Sequence, residues 1–447
     1  AHYVAGGCAT MFSRRGPGGR YHFDVGLHYV GDCGPEGAIP RILGELGLSL
    51  DDEPLDADGF DTLIFPDFRF QVPANRELFR ERLVALFPKE KKGIDRYMRL
   101  LDEVEHLTRP GVGRGWRFLM DAALHGRMAG SNKESTVGAF LDTCTKDMRL
   151  RAVLTAQWGD YGVAPGRASL MLHAGLVNHY LKGAYYPRGG GQIIADRVAE
   201  TLEKAGGSIH LRHLVSQIVV ENGRAVGLRY KGPHGEEKEL RAKTVVSNAD
   251  YKRTLLELLP KESLPGEGRA KAAAAEMAGA IFLTCLGIRG DLAQMGMRNA
   301  NYWYFEGYDF DSPIATATAK DVRGAYITSA SRKDPGSEGH APAGHQTIEV
   351  MGFVPGEAAA WGASEEATLG LGYRNSERYL AQKKEVEAAL ISKAEVVFPG
   401  LTERIVFQES ATPPTQNRYT RASGGTSYGL AATPQQFMEH RPGYRGP

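Results

Sequence analysis

Hydrophobic spacing changes partway along this chain, and that change restricts the fold more than any other feature. From about 74 to 183 the apolar residues recur at helical intervals; from 280 to 355 they gather into short β-rich runs. Asn75 is a predicted cap for the helix RELFRERLVALF, and IDRYMRLLDEVEHL follows Pro88. Further helices are expected over 138–158 and 168–182. QIIADRVAETLEKA makes another and stops at Gly206–Gly207. Strands SIHLRHL, VSQIVVENG and RAVGLRY come next, with Asn222–Gly223 as a hairpin turn. LRAKTVVSNAD follows as a third run, then a helical Ala-rich stretch over 252–277. AIFLTCLGI, NYWYFE, AYITSAS and HQTIEVMGFV read as strands, and 365–397 as one long helix. In the first thirty residues Tyr21, Phe23 and Val25 alternate with polar neighbours, as in a short strand. A chain of 447 residues with this order is an α/β protein of two large domains or about three smaller ones. Its segments weave between domains rather than follow in series.

Charge and cysteine content remove several function classes. Lys plus Arg is 54 and Asp plus Glu is 53, which leaves no electrostatic footprint for nucleic acid. Cys8, Cys33, Cys144 and Cys285 form no CxxC pair, so a disulfide scaffold or zinc ribbon is not expected and a reduced, cytoplasmic chain is. The longest apolar run, 277–288, is too short to span a bilayer and reads as a buried strand. No signal peptide is apparent at the start, which lacks an initiator Met; both ends look cut.

Glycine numbers 55, well above the usual share of about 7%. Gly6–Gly7 precedes a strand, and Gly189–Gly190–Gly191 opens a helix. Bare backbone lets a ligand approach closely, and a helix N-terminus favours an anion or a flavin carbonyl. Each loop is equally readable as a tight turn. HExxH, an EF-hand loop, GxSxG and a P-loop are all absent, and no metal site is expected. Residues alone reach a two-domain α/β protein with glycine loops and name no reaction.

Several blocks in order go further. HYVAGGCATMFSRR, YHFDVGLHYVGD, YGVAP at 161–165, LVNHYLKGAYYPRGGG at 176–191, VVSNAD at 245–250, TPPTQNRYT at 412–420 and SYGLAATP at 427–434 resemble the phytoene desaturase and carotenoid isomerase group of FAD-dependent oxidoreductases. The similarity is nearest to the group's retinol saturase branch. It implies an amine-oxidase-type FAD domain interleaved with a substrate domain. The expected segments are FAD-domain pieces at 1–73 and 184–260, substrate-domain helices at 74–183, its sheet and helix at 261–405, and a returning FAD-domain segment at 406–447.

Carried onto this sequence, the resemblance places Gly6 and Gly7 along the cofactor and pairs Arg14 or Arg15 with phosphate. Asp24, Val25 and Gly26 would run beside the flavin, with Gly189, Gly190 and Gly191 approaching from the other side. Val215, Asn248 and Ala249 would meet the adenine, while Tyr428 and Gly429 would close the ring site. His28, Tyr185 and Tyr186 are the candidate proton donors. Tyr302, Trp303 and Tyr304 are expected tunnel walls, and 116–120 with Arg114, Arg117 and Arg127 a membrane-facing patch. The implied reaction is hydride transfer between FAD and a carbon–carbon double bond of a retinoid or carotenoid, with NAD(P)H as a candidate electron donor. A carotenoid desaturase, a cis–trans isomerase, an amine oxidase and a non-enzymatic lipid carrier resembling Rab GDP-dissociation inhibitors remain open. The group's N-terminal GxGxxG turn does not occur here. The 447-residue chain alone is therefore expected to hold FAD weakly or not at all.

Overall fold

The computed structural model describes residues 3–108, 116–313 and 316–441, the side chains of 116–119 lying outside the described set. Seven strands form the main sheet, in the order Ile405–Ala411, Ala280–Arg289, His345–Val354, Gly324–Thr328, Asn301–Phe305, Asp61–Ile64, Arg69–Val72. All neighbours are antiparallel except Asn301–Phe305 with Asp61–Ile64. Strand side chains alternate between faces, so each strand feeds two cores. Phe282, Leu286 and Ile288 turn to one face, where Val386, Leu390 and Ala394 of the helix Glu377–Val397 cover them. Leu283, Cys285, Trp303, Phe305 and Met351 turn to the other, towards the helical layer.

That layer holds Arg76–Leu86, Lys91–Thr108 and Leu170–Leu181. Asn75 caps the first as expected, its side-chain oxygen accepting from the Leu78 N–H at 2.8 Å. Three smaller sheets complete the fold. Leu214–Glu221, Arg224–Lys231 and Glu237–Arg241 form one; Val30–Gly31, Ala184–Pro187 and Asp52–Pro54 another. The ribbon Met11–Gly16 with Gly19–Asp24 docks on the main sheet, Tyr21 and Phe23 stacking on Phe407 at 5.3 and 5.8 Å.

Several expected elements are shorter. The stretch 138–158 breaks because Asp147 turns its carboxylate onto the N–H groups of Arg149 and Leu150 and starts a new helix, Met148–Thr155. The stretch 365–397 breaks at Gly370, and Ser376 caps a fresh start. Pro260 and Pro265 divide 252–277. SIHLRHL is not a strand; Arg212 is left-handed at φ 59 and pairing begins at Leu214. LRAKTVVSNAD leaves its sheet after Arg241.

Candidate active site

A cavity of about 1390 Å³ lies between the ribbon, the helical layer and the inner face of the main sheet. Its wall includes Gly7, Cys8, Val25, Gly26 and His28 from the first thirty residues, Asn248 and Ala249 beyond the hairpin sheet, and Tyr428 and Gly429 near the end. Trp158, Tyr180, Trp303, Tyr326 and Phe353 add aromatic rings to the wall, with Asp160 among them.

The structure does not bring the other expected residues to this wall. Gly6 packs against the helix Gln192–Lys204, where an added Cβ would meet Ala195 at 2.7 Å. Arg14 pairs with Glu409 at 3.2 Å, and Arg15 stands opposite Arg20 in the ribbon. Val215 is half-buried in its sheet. Tyr302 and Tyr304 point to the opposite face from Trp303, because neighbours on a strand alternate. The expected patch at 116–120 lies outside the described side chains except for Met120, which is exposed.

The triple-glycine loop is engaged by protein. The Gly191 N–H donates to Asp24 Oδ1 at 2.9 Å, and the Gly189 N–H to Asp334 Oδ2 at 2.8 Å. A carboxylate thus already sits at the start of the helix Gln192–Lys204, where the dipole favours it. Asp24 also accepts from the Tyr186 hydroxyl. Lys333, fully buried, donates to the His28 carbonyl and lies 4.5 Å over the Tyr186 ring. Glu349, equally buried, accepts the Asp24 backbone N–H at 3.3 Å. Burial and the Asp24 charge push Glu349 up to about 8, and burial draws Lys333 down to about 8. Asp24 and Tyr186 therefore join a buried charge cluster behind the wall. Tyr185, by contrast, sits in the small sheet between Val30–Gly31 and Asp52–Pro54.

His28 does face the cavity, and both ring nitrogens lack a hydrogen-bond partner. Burial and neighbouring Lys333 hold it down to about 3. At neutral pH it offers a neutral imidazole rather than a labile imidazolium proton.

Asp160 escaped the sequence reading. It ends the turn Ala156–Asp160, and its exposed part looks into the cavity. The Tyr29 hydroxyl lies 2.7 Å from Asp160 Oδ2 and 3.3 Å from Asp61 Oδ2. Asp61 also receives Gln157 Nε2 at 2.7 Å and Asn301 Nδ2 at 3.0 Å. Burial lifts Asp61 to about 6 against these donors. Burial, then the Asp61 charge, drives Asp160 well above the usual carboxylate range. A usable signal was present: Gly159 and Gly162 flank Asp160–Tyr161 at the end of a helical run. A Cβ at Gly159 would meet the Trp303 ring at 2.6 Å, and one at Gly162 the Tyr428 ring at 2.3 Å. For Glu349, the signal was a lone acid inside the apolar strand HQTIEVMGFV. Elsewhere, His106 Nε2 lies 3.0 Å from both Asp121 oxygens with the His125 ring beside it, a donor trio outside the cavity wall.

This fold is shared with solved oxidoreductases. An oxidoreductase from Methanosarcina mazei superposes with a TM-score of 0.60 at 17% identity, covering 96% of this chain and 86% of that one. A putrescine oxidase triple mutant gives 0.58 at 15%, covering 99% and 84%. Among curated proteins, the all-trans-retinol 13,14-reductases of Danio rerio and Homo sapiens are 28% and 29% identical, each over 96% of this chain and 72% of its own length. The chloroplastic prolycopene isomerase of Arabidopsis thaliana is 24% identical over 95% of this chain and 68% of its own. No protein-family model matches the chain. The chain is therefore similar along nearly its whole length to reductases and isomerases of these names.

The wall fits a flavin ring on its own evidence. Main chain at Gly7, Gly26 and Gly429 borders the cavity, and no heavy atom stands within 4 Å of a Cβ built at Gly7 or Gly429. The triple-glycine helix start, already holding Asp24, is not free for a pyrophosphate.

Proposed function

We propose that this protein is an FAD-dependent oxidoreductase acting on a carbon–carbon double bond of a retinoid- or carotenoid-type polyene, in the direction of reduction. The observation that carries the reading is one continuous cavity bordered both by bare glycine backbone and by a set of aromatic rings. Gly7, Val25, Gly26, Tyr428 and Gly429 would border the flavin ring, and Asn248 and Ala249 its adenine end. Bound there, the flavin supplies two-electron chemistry; the protein orients the polyene and keeps water away. NAD(P)H is the proposed source of electrons. Trp158, Trp303 and Phe353 would grip an extended apolar chain by burial. The decisive measurement incubates the FAD-supplied protein with NADPH and all-trans-retinol, and separately with a poly-cis carotenoid. A retinoid heavier by two hydrogens supports the reading. A carotenoid rearranged without change of mass would replace it with isomerisation, and no turnover of either would remove it.

A peripheral membrane contact belongs to the same proposal, since such substrates reside in lipid. Among the described residues no helix is long and apolar enough to cross a membrane. Met120 and Leu124, one turn apart on Trp116–His125, are 54% and 72% exposed, an apolar edge suited to an interface. Met120→Ser with Leu124→Ser is expected to weaken flotation with liposomes; flotation unchanged by the pair, or absent from the start, would count against it.

A further inference from the structure

Adding hydrogen across a double bond requires one hydride and one proton. Under the reading above, on which this inference rests, a reduced flavin is the hydride donor, and the proton has to come from an acid within reach of the polyene. The acids suggested by sequence do not meet that need. His28 is held neutral, Tyr186 is tied to Asp24 away from the cavity, and Tyr185 is not on the wall.

We infer that Asp160 is the proton donor, kept as a neutral carboxylic acid by its pairing through Tyr29 with the fully buried but better hydrogen-bonded carboxylate of Asp61. The two carboxyls keep unequal company. Besides the shared Tyr29 hydroxyl, two amides donate to Asp61 (Gln157 and Asn301), and each favours its charged form. Asp160 is met by the Tyr29 hydroxyl. One phenol carries one proton, so it cannot donate a full hydrogen bond to two carboxylates at once. Of two nearby carboxyls, the one with fewer donors keeps the proton, and environments that push a pair apart assign acid and base. Tyr180, Tyr326 and Tyr428 also face this group, and all are neutral phenols at pH 7, their titration raised first by burial. An apolar chain filling the cavity would displace water from the exposed side of Asp160 and strengthen the effect.

In the step itself the O–H bond of Asp160 breaks and a C–H bond forms at one carbon of the double bond. The other carbon receives the hydride, and the resulting carboxylate is held by the Tyr29 hydroxyl. Water entering after product leaves returns the proton. Tyr29 acts as a positioning residue. The placement is built into the turn: Tyr428 donates its hydroxyl to the Gly159 carbonyl at 2.5 Å, and Trp158 stacks on Phe353 at 4.3 Å.

The test combines infrared spectroscopy with turnover. Wild type at pH 7 should show the carbonyl band of a neutral carboxylic acid that Asp160→Asn removes and Tyr29→Phe shifts. With FAD bound, Asp160→Asn should lower polyene reduction on the order of 100-fold or more, the range of a lost general acid, while retinol fluorescence reports unchanged binding. A wild type without such a band, or an Asp160→Asn variant within threefold of wild-type turnover, would overturn the inference and leave the polyene reading standing. A wild type that shows the Asp160 band yet reduces no polyene would support the neutral acid and sink the reading instead. Should Asp160→Asn not fold, the Tyr29→Phe band shift decides: an unmoved band overturns the assignment.

Discussion

Lys333 shows how a single residue ties the ribbon, the triple-glycine loop and the main sheet together. It is fully buried, between Asp24 and Glu349, with its chain against Tyr186. Removing one member of a buried charged group leaves the others uncompensated, typically at a cost of about 3–5 kcal/mol. Lys333→Met should therefore lower stability to urea by about that amount. An unchanged urea midpoint would show that Lys333 compensates no buried charge. The pH dependence follows from the same cluster. Glu349 holds its proton in the folded protein up to about 8 and loses it near the ordinary carboxylate range when unfolded. Between those limits the folded state binds more protons, so stability contributed by Glu349 falls as pH rises from about 4.5 to 8. Lys333 acts oppositely: its folded value of about 8 lies below 10.5, so stability recovers as pH rises through that interval. Urea midpoints for Glu349→Gln should fall less between pH 5 and 8 than those of wild type, the remainder coming from other raised acids such as Asp61; an unchanged fall would assign it elsewhere.

At the level of elements, the sequence was readable wherever local pattern and long-range partner agree. Asn222–Gly223 has both residues left-handed, at φ 51 and 73, and pairs the strands that its dipeptide predicts. AIFLTCLGI, NYWYFE and HQTIEVMGFV are strands because their alternation serves two faces of one sheet. Reading failed where a capping side chain outcompeted continued helix, as at Asp147 and Ser376. It failed again where pairing ran out, as after Arg241. The candidate site was half legible for a related reason. A glycine run announces close approach without saying to what, and the acceptor for Gly191 is a carboxylate 167 residues away. The turn carrying Asp160 was hidden inside a helical pattern, yet its glycines are its most constrained positions. Gly159→Ala would press a methyl group into Trp303. Overpacking of this kind costs about 1–3 kcal/mol. The variant should lose stability in that range and also lose polyene reduction beyond what the unfolded fraction explains. A stable variant of normal activity would show that the turn tolerates displacement.

For the molecule as a whole, the question is how many guests the central space admits. Single small-molecule sites usually enclose about 300–1,000 Å³. The cavity here is about 1390 Å³. Its lining is of two kinds: polar groups at Ser247, Asn248 and Asp250, and a cluster of aromatic rings. One amphipathic guest would leave much of this volume empty, whereas a nucleotide cofactor and a polyene laid end to end would use both chemistries. Flavin and retinoid should therefore bind together rather than compete. A ligand present at 100 times its dissociation constant stabilises the folded state by about 2.7 kcal/mol. FAD and all-trans-retinol, each at that excess, should each raise the unfolding midpoint, and together they should raise it by nearly the sum. Bare glycine backbone at Gly7, Gly26 and Gly429 borders the same continuous space, so the guests should also touch, and retinol should perturb the flavin absorbance band. If retinol instead displaces FAD, the cavity is one site with a single occupant, and transfer of hydrogen between two bound molecules has no place in it.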